Sequence, residues 1–108
     1  MKTYFDLYGF KQSDLELVRA ELEMVLELKF VAHDSLYRGG LYYRCDRPHS
    51  ESFQLVGNFN HIEQEYAEEQ FADYPTLLYV EQASSPKVTE ETIVNNMSSA
   101  KLLRREIL

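Results

Sequence analysis

Between Glu63 and Asp73 the chain reads EQEYAEEQFAD, placing five carboxylates in eleven residues with Tyr66 and Phe71 among them. Such density allows three chemistries. A pair of carboxylates can divide general-acid and nucleophile roles as in glycoside hydrolysis, and Glu65 with Glu68 or Glu69 offers such a pair. Yet no apolar residue is placed to raise one of their pKa values. Calcium binding needs a D-x-D-x-D-G loop, and the run has no glycine. Binding a basic surface needs only closely spaced acids and aromatic anchors, which supply charge complementarity and hot spots respectively. The candidate partner-binding residues are therefore Glu63, Glu65, Tyr66, Glu68, Glu69, Phe71 and Asp73. The surroundings sharpen the imbalance. From Pro48 to Pro86 there is no Lys or Arg, and Glu51 and Glu81 bring the acids there to seven. The remaining 11 acids balance all 11 bases of the chain, so the whole net charge of -7 sits in that segment. A field of that sign attracts basic partners and repels phosphate backbones, which argues against direct nucleic-acid binding.

The other residues able to do chemistry lack the spacing for it. His33 alternates with apolar neighbours, His49 and His61 fall in loops, and none pairs with a Cys or His at tetrahedral-site spacing, so no metal and no cofactor are expected. Cys45 is the only cysteine and has no disulfide partner in the chain. Ser35, Ser50 and Ser52 stand in no GxSxG context, and Gly39-Gly40 lacks the flanking pattern of a phosphate loop. No catalytic residue is expected.

At 108 residues, 44% hydrophobic and 27% charged, the chain reads as one globular domain spanning 1–108. Asp6 interrupts any secretory apolar region, and Leu77 to Val80 is the longest clean apolar run, far short of a membrane span. A cytoplasmic monomer is the expectation.

These residues need elements to hold them. Phe5 and Leu7 alternate with Tyr4, Asp6 and Tyr8, which predicts a strand over Thr3 to Tyr8. Ser13 with Glu16 forms a capping-box pattern ahead of Leu15, Val18, Leu22, Val25 and Leu26, predicting an amphipathic helix from Asp14 to Glu27 or Leu28. Gly39-Gly40 then predicts a two-residue hairpin that sets Tyr37 opposite Tyr42 and Leu36 opposite Tyr43. A strand through Phe53, Leu55, Gly57 and Phe59 leads to an ordered acidic loop over Asn60 to Tyr74, and TLLYV after Pro75 reads as an interior strand. A last helix, capped by Thr89, would carry an inward stripe of Ile93, Met97, Ala100, Leu103 and Ile107. The expected fold is α+β: a mostly antiparallel sheet of about five strands in the order β-α-β-β-β-β-α, helices on one face, with one parallel pair through the first crossover.

The run HDSLYRGGLYYR, with Asp34, Ser35, Tyr37, Gly39, Gly40, Tyr42, Tyr43 and Arg44, resembles a set of small bacterial immunity proteins of contact-dependent growth inhibition and related polymorphic toxin systems. The later acidic run ending in YPTLLYV, Tyr74 to Val80, shares in the likeness. The resemblance implies a non-enzymatic protein that binds its cognate toxin C-terminal domain, a basic nuclease, and blocks its active site or substrate groove. It assigns no contact residues. A small hydrolase using a carboxylate pair in the acidic run, and a self-associating module with a tyrosine-rich sheet face, are the competing readings.

Overall fold

Alternation in the first ten residues builds a strand that becomes an inner strand of the sheet. In the computed structural model, which describes residues 2–108 apart from the His49 side chain, β1 (Tyr4–Phe10) is flanked on both sides. The molecule is α+β. Its six-stranded sheet comprises β1, β2 (Val31–Ser35), β3 (Gly40–Asp46), β4 (Ser52–Gly57), β7 (Thr76–Ala83) and β8 (Ala100–Ile107), in spatial order β2-β3-β4-β7-β1-β8. A separate hairpin joins β5 (Phe59–Asn60) to β6 (Glu65–Tyr66). Every strand pairing among the described residues is antiparallel, so the parallel pair expected from the first crossover does not form. The reason is that β1 lies beside β7 and β8, on the far side of the sheet from the strands that follow α1.

Helix α1 (Leu15–Leu26) buries Val18 and Leu22 as its periodicity predicts. Its cap is Asp14 rather than Ser13: the Asp14 carboxylate accepts from the amides of Glu16 at 3.0 Å and Leu17 at 3.3 Å. A carboxylate also complements the positive end of the helix dipole, an advantage a hydroxyl lacks.

The hairpin between β2 and β3 forms, but with a different register. Leu36–Arg38 make a 3-10 turn, Gly39 and Gly40 follow at φ 80° and 114°, and the strands pair His33 with Tyr42 and Ala32 with Tyr43. The glycines thus lie at the end of a longer loop instead of at a two-residue tip. Tyr37, expected in the ladder opposite Tyr42, is instead 82% exposed.

The largest correction is at the C-terminal end. Helix α2 occupies Pro86–Asn96, starting before Thr89, with Ser85 at its cap position. The chain then turns through Met97 to Ser99, and Ala100–Ile107 form β8 instead of the last turns of a helix. Asn95, Asn96, Ser98 and Ser99 are weak helix formers that interrupt the stripe. Two charge pairings then favour the strand: Arg105 meets Asp6 on β1, and Arg104 meets Glu68. Such long-range partners leave no trace in helical periodicity.

Both helices cover one face of the sheet. There Val18, Leu22 and Ile93 join Tyr8, Phe10, Phe53, Leu55, Leu78 and Val80 in the main core. The other face has a smaller core of Leu7, Val56 and Leu77, to which neither helix contributes. Strand β7 feeds both, as an interior strand should.

Candidate functional site

The smaller core is closed by the acidic segment. Residue 58 makes this possible. Asn58 is fully buried, and its side-chain amide donates to the carbonyls of Phe71 at 2.9 Å and Tyr74 at 3.0 Å, with a longer reach of 3.4 Å to that of Glu68. Its Oδ1 accepts from the Glu68 amide at 2.9 Å, while its backbone bonds Pro75 and Ala67. One asparagine therefore satisfies backbone groups at several points of the excursion between β4 and β7, which would otherwise be buried without partners. The result is a compact loop with its ends drawn together.

Within the excursion, the β5–β6 hairpin turns through residues 61–64. Asn60 Oδ1 accepts from the amides of Ile62 and Glu63, and Gln64 takes a φ of 58°. Phe59 packs edge-on against Tyr66 and His61, with ring centres 5.0 and 4.9 Å away. A 3-10 turn at Glu69–Phe71 then directs the Phe71 ring into the smaller core beside Tyr74.

The seven sequence-predicted residues divide by orientation. Glu63, Glu65, Tyr66, Glu69 and Asp73 are exposed, whereas Glu68 and Phe71 turn toward the sheet. Glu68 accepts hydrogen bonds from Tyr79 Oη at 2.6 Å and from both terminal nitrogens of Arg104, at 3.0 and 3.3 Å. Partial burial pushes its carboxyl upward, but the bonds from Arg104 and Tyr79 outweigh this and hold it below the ordinary glutamate range. Burial, reinforced by Glu68, pushes the Tyr79 hydroxyl well above its usual value.

The other acids of the segment divide the same way. Glu51 is buried and accepts from the amide and hydroxyl of Ser84, and Glu81 accepts from Gln54 at 2.7 Å. Three of the seven acids thus serve internal contacts. Glu63, Glu65, Glu69 and Asp73 make no ion pair among the described residues and face solvent.

The Gly-Gly loop adjoins this acidic surface. Gly39 lies so close to Asn60 that an added Cβ would stand 3.1 Å from the Asn60 side chain, and Asn60 Nδ2 reaches the Tyr37 carbonyl at 3.5 Å. Between loop and hairpin is an open cleft of about 300 Å³, walled by Tyr37, Glu63, Glu65 and Tyr66 over a floor of Val56 and Tyr79. Arg38 also borders it. The Arg38 guanidinium donates to Gln54 Oε1 at 2.6 Å and lies 5.4 and 6.0 Å from the ring centres of Tyr79 and Tyr42. Sequence reasoning found neither this cleft nor Asn58, since both depend on which strands become neighbours.

The remaining candidates assemble nothing comparable. Burial raises the Cys45 thiol, His33 stacks on Tyr42, and no group of three His, Cys, Asp or Glu side chains converges among the described residues. Among the described residues no helix is long and apolar enough to cross a membrane. Comparisons with protein-family models, curated proteins and solved structures give no significant match.

Proposed function

We propose that this protein binds a basic protein surface through its acidic excursion, and that the partner is a toxin domain, a basic nuclease whose active site or substrate groove it occludes. The observation that carries the reading is the sorting of acids: three are neutralised or bonded internally, and four are left exposed and unpaired on a loop tied down by Asn58. A fixed array of carboxylates loses less entropy on binding than a floppy acidic tail would, and it steers a cationic partner during encounter. Grooves that hold phosphates are basic, so an acidic protein competes for them on charge alone. The toxin assignment comes from the resemblance of the Gly-Gly hairpin and the YPTLLYV run; the physical chemistry supports the basic partner.

The carboxylate-pair hydrolase draws less support. Glu68 is held by Arg104 and Tyr79 with its pKa lowered, the wrong direction for a general acid, and Glu65 and Glu69 stand in solvent. Self-association through a tyrosine face draws less too, because Tyr42 and Tyr79 already pack against Arg38.

The test asks whether the preceding reading frame encodes a large secreted protein with a basic C-terminal domain that co-purifies with this chain, and then follows their stopped-flow association across a salt series. Reversing Glu65, Glu69 and Asp73 to Lys should slow association at low salt and flatten its salt dependence. An association rate indifferent to salt and to these reversals would remove the acidic excursion from the interface.

A further inference from the structure

We infer that the cleft between the Gly-Gly loop and the acidic hairpin is a receptor for one cationic side chain, an arginine or lysine, presented by a partner protein. The inference rests on the proposed binding of a basic partner and names the group that enters. Its grounds are shape, wall chemistry and charge together. The cleft holds about 300 Å³, which exceeds the volume of a single long side chain. Tyr37 and Tyr66 border it from opposite elements, and both rings are exposed to solvent, Tyr66 with Phe59 packed edge-on against it. Ring faces in that position attract a guanidinium or ammonium that shares them with nearby carboxylates. Glu63 and Glu65 supply those carboxylates, and neither is neutralised by a base of this chain among the described residues.

Arg38 determines the orientation. Its charge is engaged at the floor, bonded to Gln54 and lying beside the Tyr79 and Tyr42 rings. An incoming cation is therefore kept at the outer, glutamate-lined end, where the apolar stem can lie along Tyr37 and Tyr66. Holding the two walls at a fixed separation is the task of Asn60, which bonds the hairpin turn on one side and the Tyr37 carbonyl on the other.

The test titrates the intact protein with acetyl-Gly-Arg-Gly-amide, with acetyl-Gly-norleucine-Gly-amide and acetyl-Gly-Glu-Gly-amide as controls, followed by NMR. The arginine peptide should give saturable shifts centred on Tyr37, Glu63, Glu65 and Tyr66, and the controls should not. Tyr37→Ala and the double change Glu63→Gln, Glu65→Gln should each weaken it at least about threefold, while Glu69→Gln with Asp73→Asn leaves it unchanged. Shifts that never saturate, that spread equally to Glu69 and Asp73, or that persist in Tyr37→Ala would overturn the cleft as a receptor. Because the peptide replaces the partner, a failed toxin assignment leaves this result intact. Conversely, a toxin complex whose affinity is unmoved by Tyr37→Ala and by the Glu63 and Glu65 changes would overturn the cleft while sparing the partner.

Discussion

Arg104 grips both carboxylate oxygens of Glu68, at 3.0 and 3.3 Å, and so fastens the acidic excursion to the edge strand β8. Tyr79 Oη completes the arrangement from β7. A carboxylate here looks like part of a binding surface in the sequence and is a fastening in the fold.

Acid should loosen this fastening. The folded-state pKa of Glu68 is lowered, and so are those of Glu16, bonded by Tyr43 and Arg19, and Glu23, bonded by the Phe30 amide and Arg19. A depressed carboxyl contributes stability that is complete above its unfolded value, roughly 4.3, and is lost as pH falls through the folded one. Stability should therefore hold from neutrality to about pH 5 and decline below. Glu68→Gln should make that acid decline shallower, as followed by urea unfolding at a series of pH values.

Asn58→Ala should cost about 2 to 4 kcal/mol, since it leaves the carbonyls of Phe71 and Tyr74 and the amide of Glu68 without their partner. Asn58→Asp should be at least as damaging: it keeps the acceptor and turns the donor into a second acceptor facing carbonyls. Chemical denaturation gives the loss, and hydrogen exchange should place the first opening between residues 59 and 75.

Asp6 has a side chain only 1% exposed, and Arg105 donates two bonds of 2.9 Å to it from β8. Arg105→Leu strands that carboxylate and should destabilise by about 3 kcal/mol, whereas Arg105→Leu combined with Asp6→Leu should recover much of the loss. A thermodynamic cycle over the four proteins measures the coupling.

Gly39→Ala places a Cβ at φ 80° and 3.1 Å from Asn60. A cost of about 1 kcal/mol or more is expected from the backbone alone. The informative readout is the cleft, because displacing Asn60 should weaken the arginine peptide beyond what the stability loss explains.

Local signals were legible where local physics decides. The alternation of Phe5 and Leu7 gave a strand, the spacing of Val18 and Leu22 gave a helix, and the double apolar character of Leu77 and Leu78 gave an interior strand covered on both faces. Ala100–Ile107 reads as helix because its apolar residues suit a helical stripe, and the competing attraction comes from Asp6, 99 positions before Arg105. The site was legible as a charge anomaly. Its internal sorting was not, for nothing in EQEYAEEQFAD says that Glu68 alone meets an arginine. Gln, Glu and Tyr neighbours are equivalent until the sheet order fixes which of them faces Tyr79.

The placement of β1 also sets an order in time. It lies between β7 and β8, so both of its neighbours come far later in the sequence than it does. A ribosome therefore releases β1 long before either strand that pairs with it, and of its core partners only Val18 and Leu22 on α1 follow soon after it. Contacts of such sequence separation slow folding. Arg104, which fastens Glu68, lies on β8, so the acidic surface reaches its final form only after β8 has been made. Whatever this protein binds, the surface that binds it is completed only once β8 has docked beside β1.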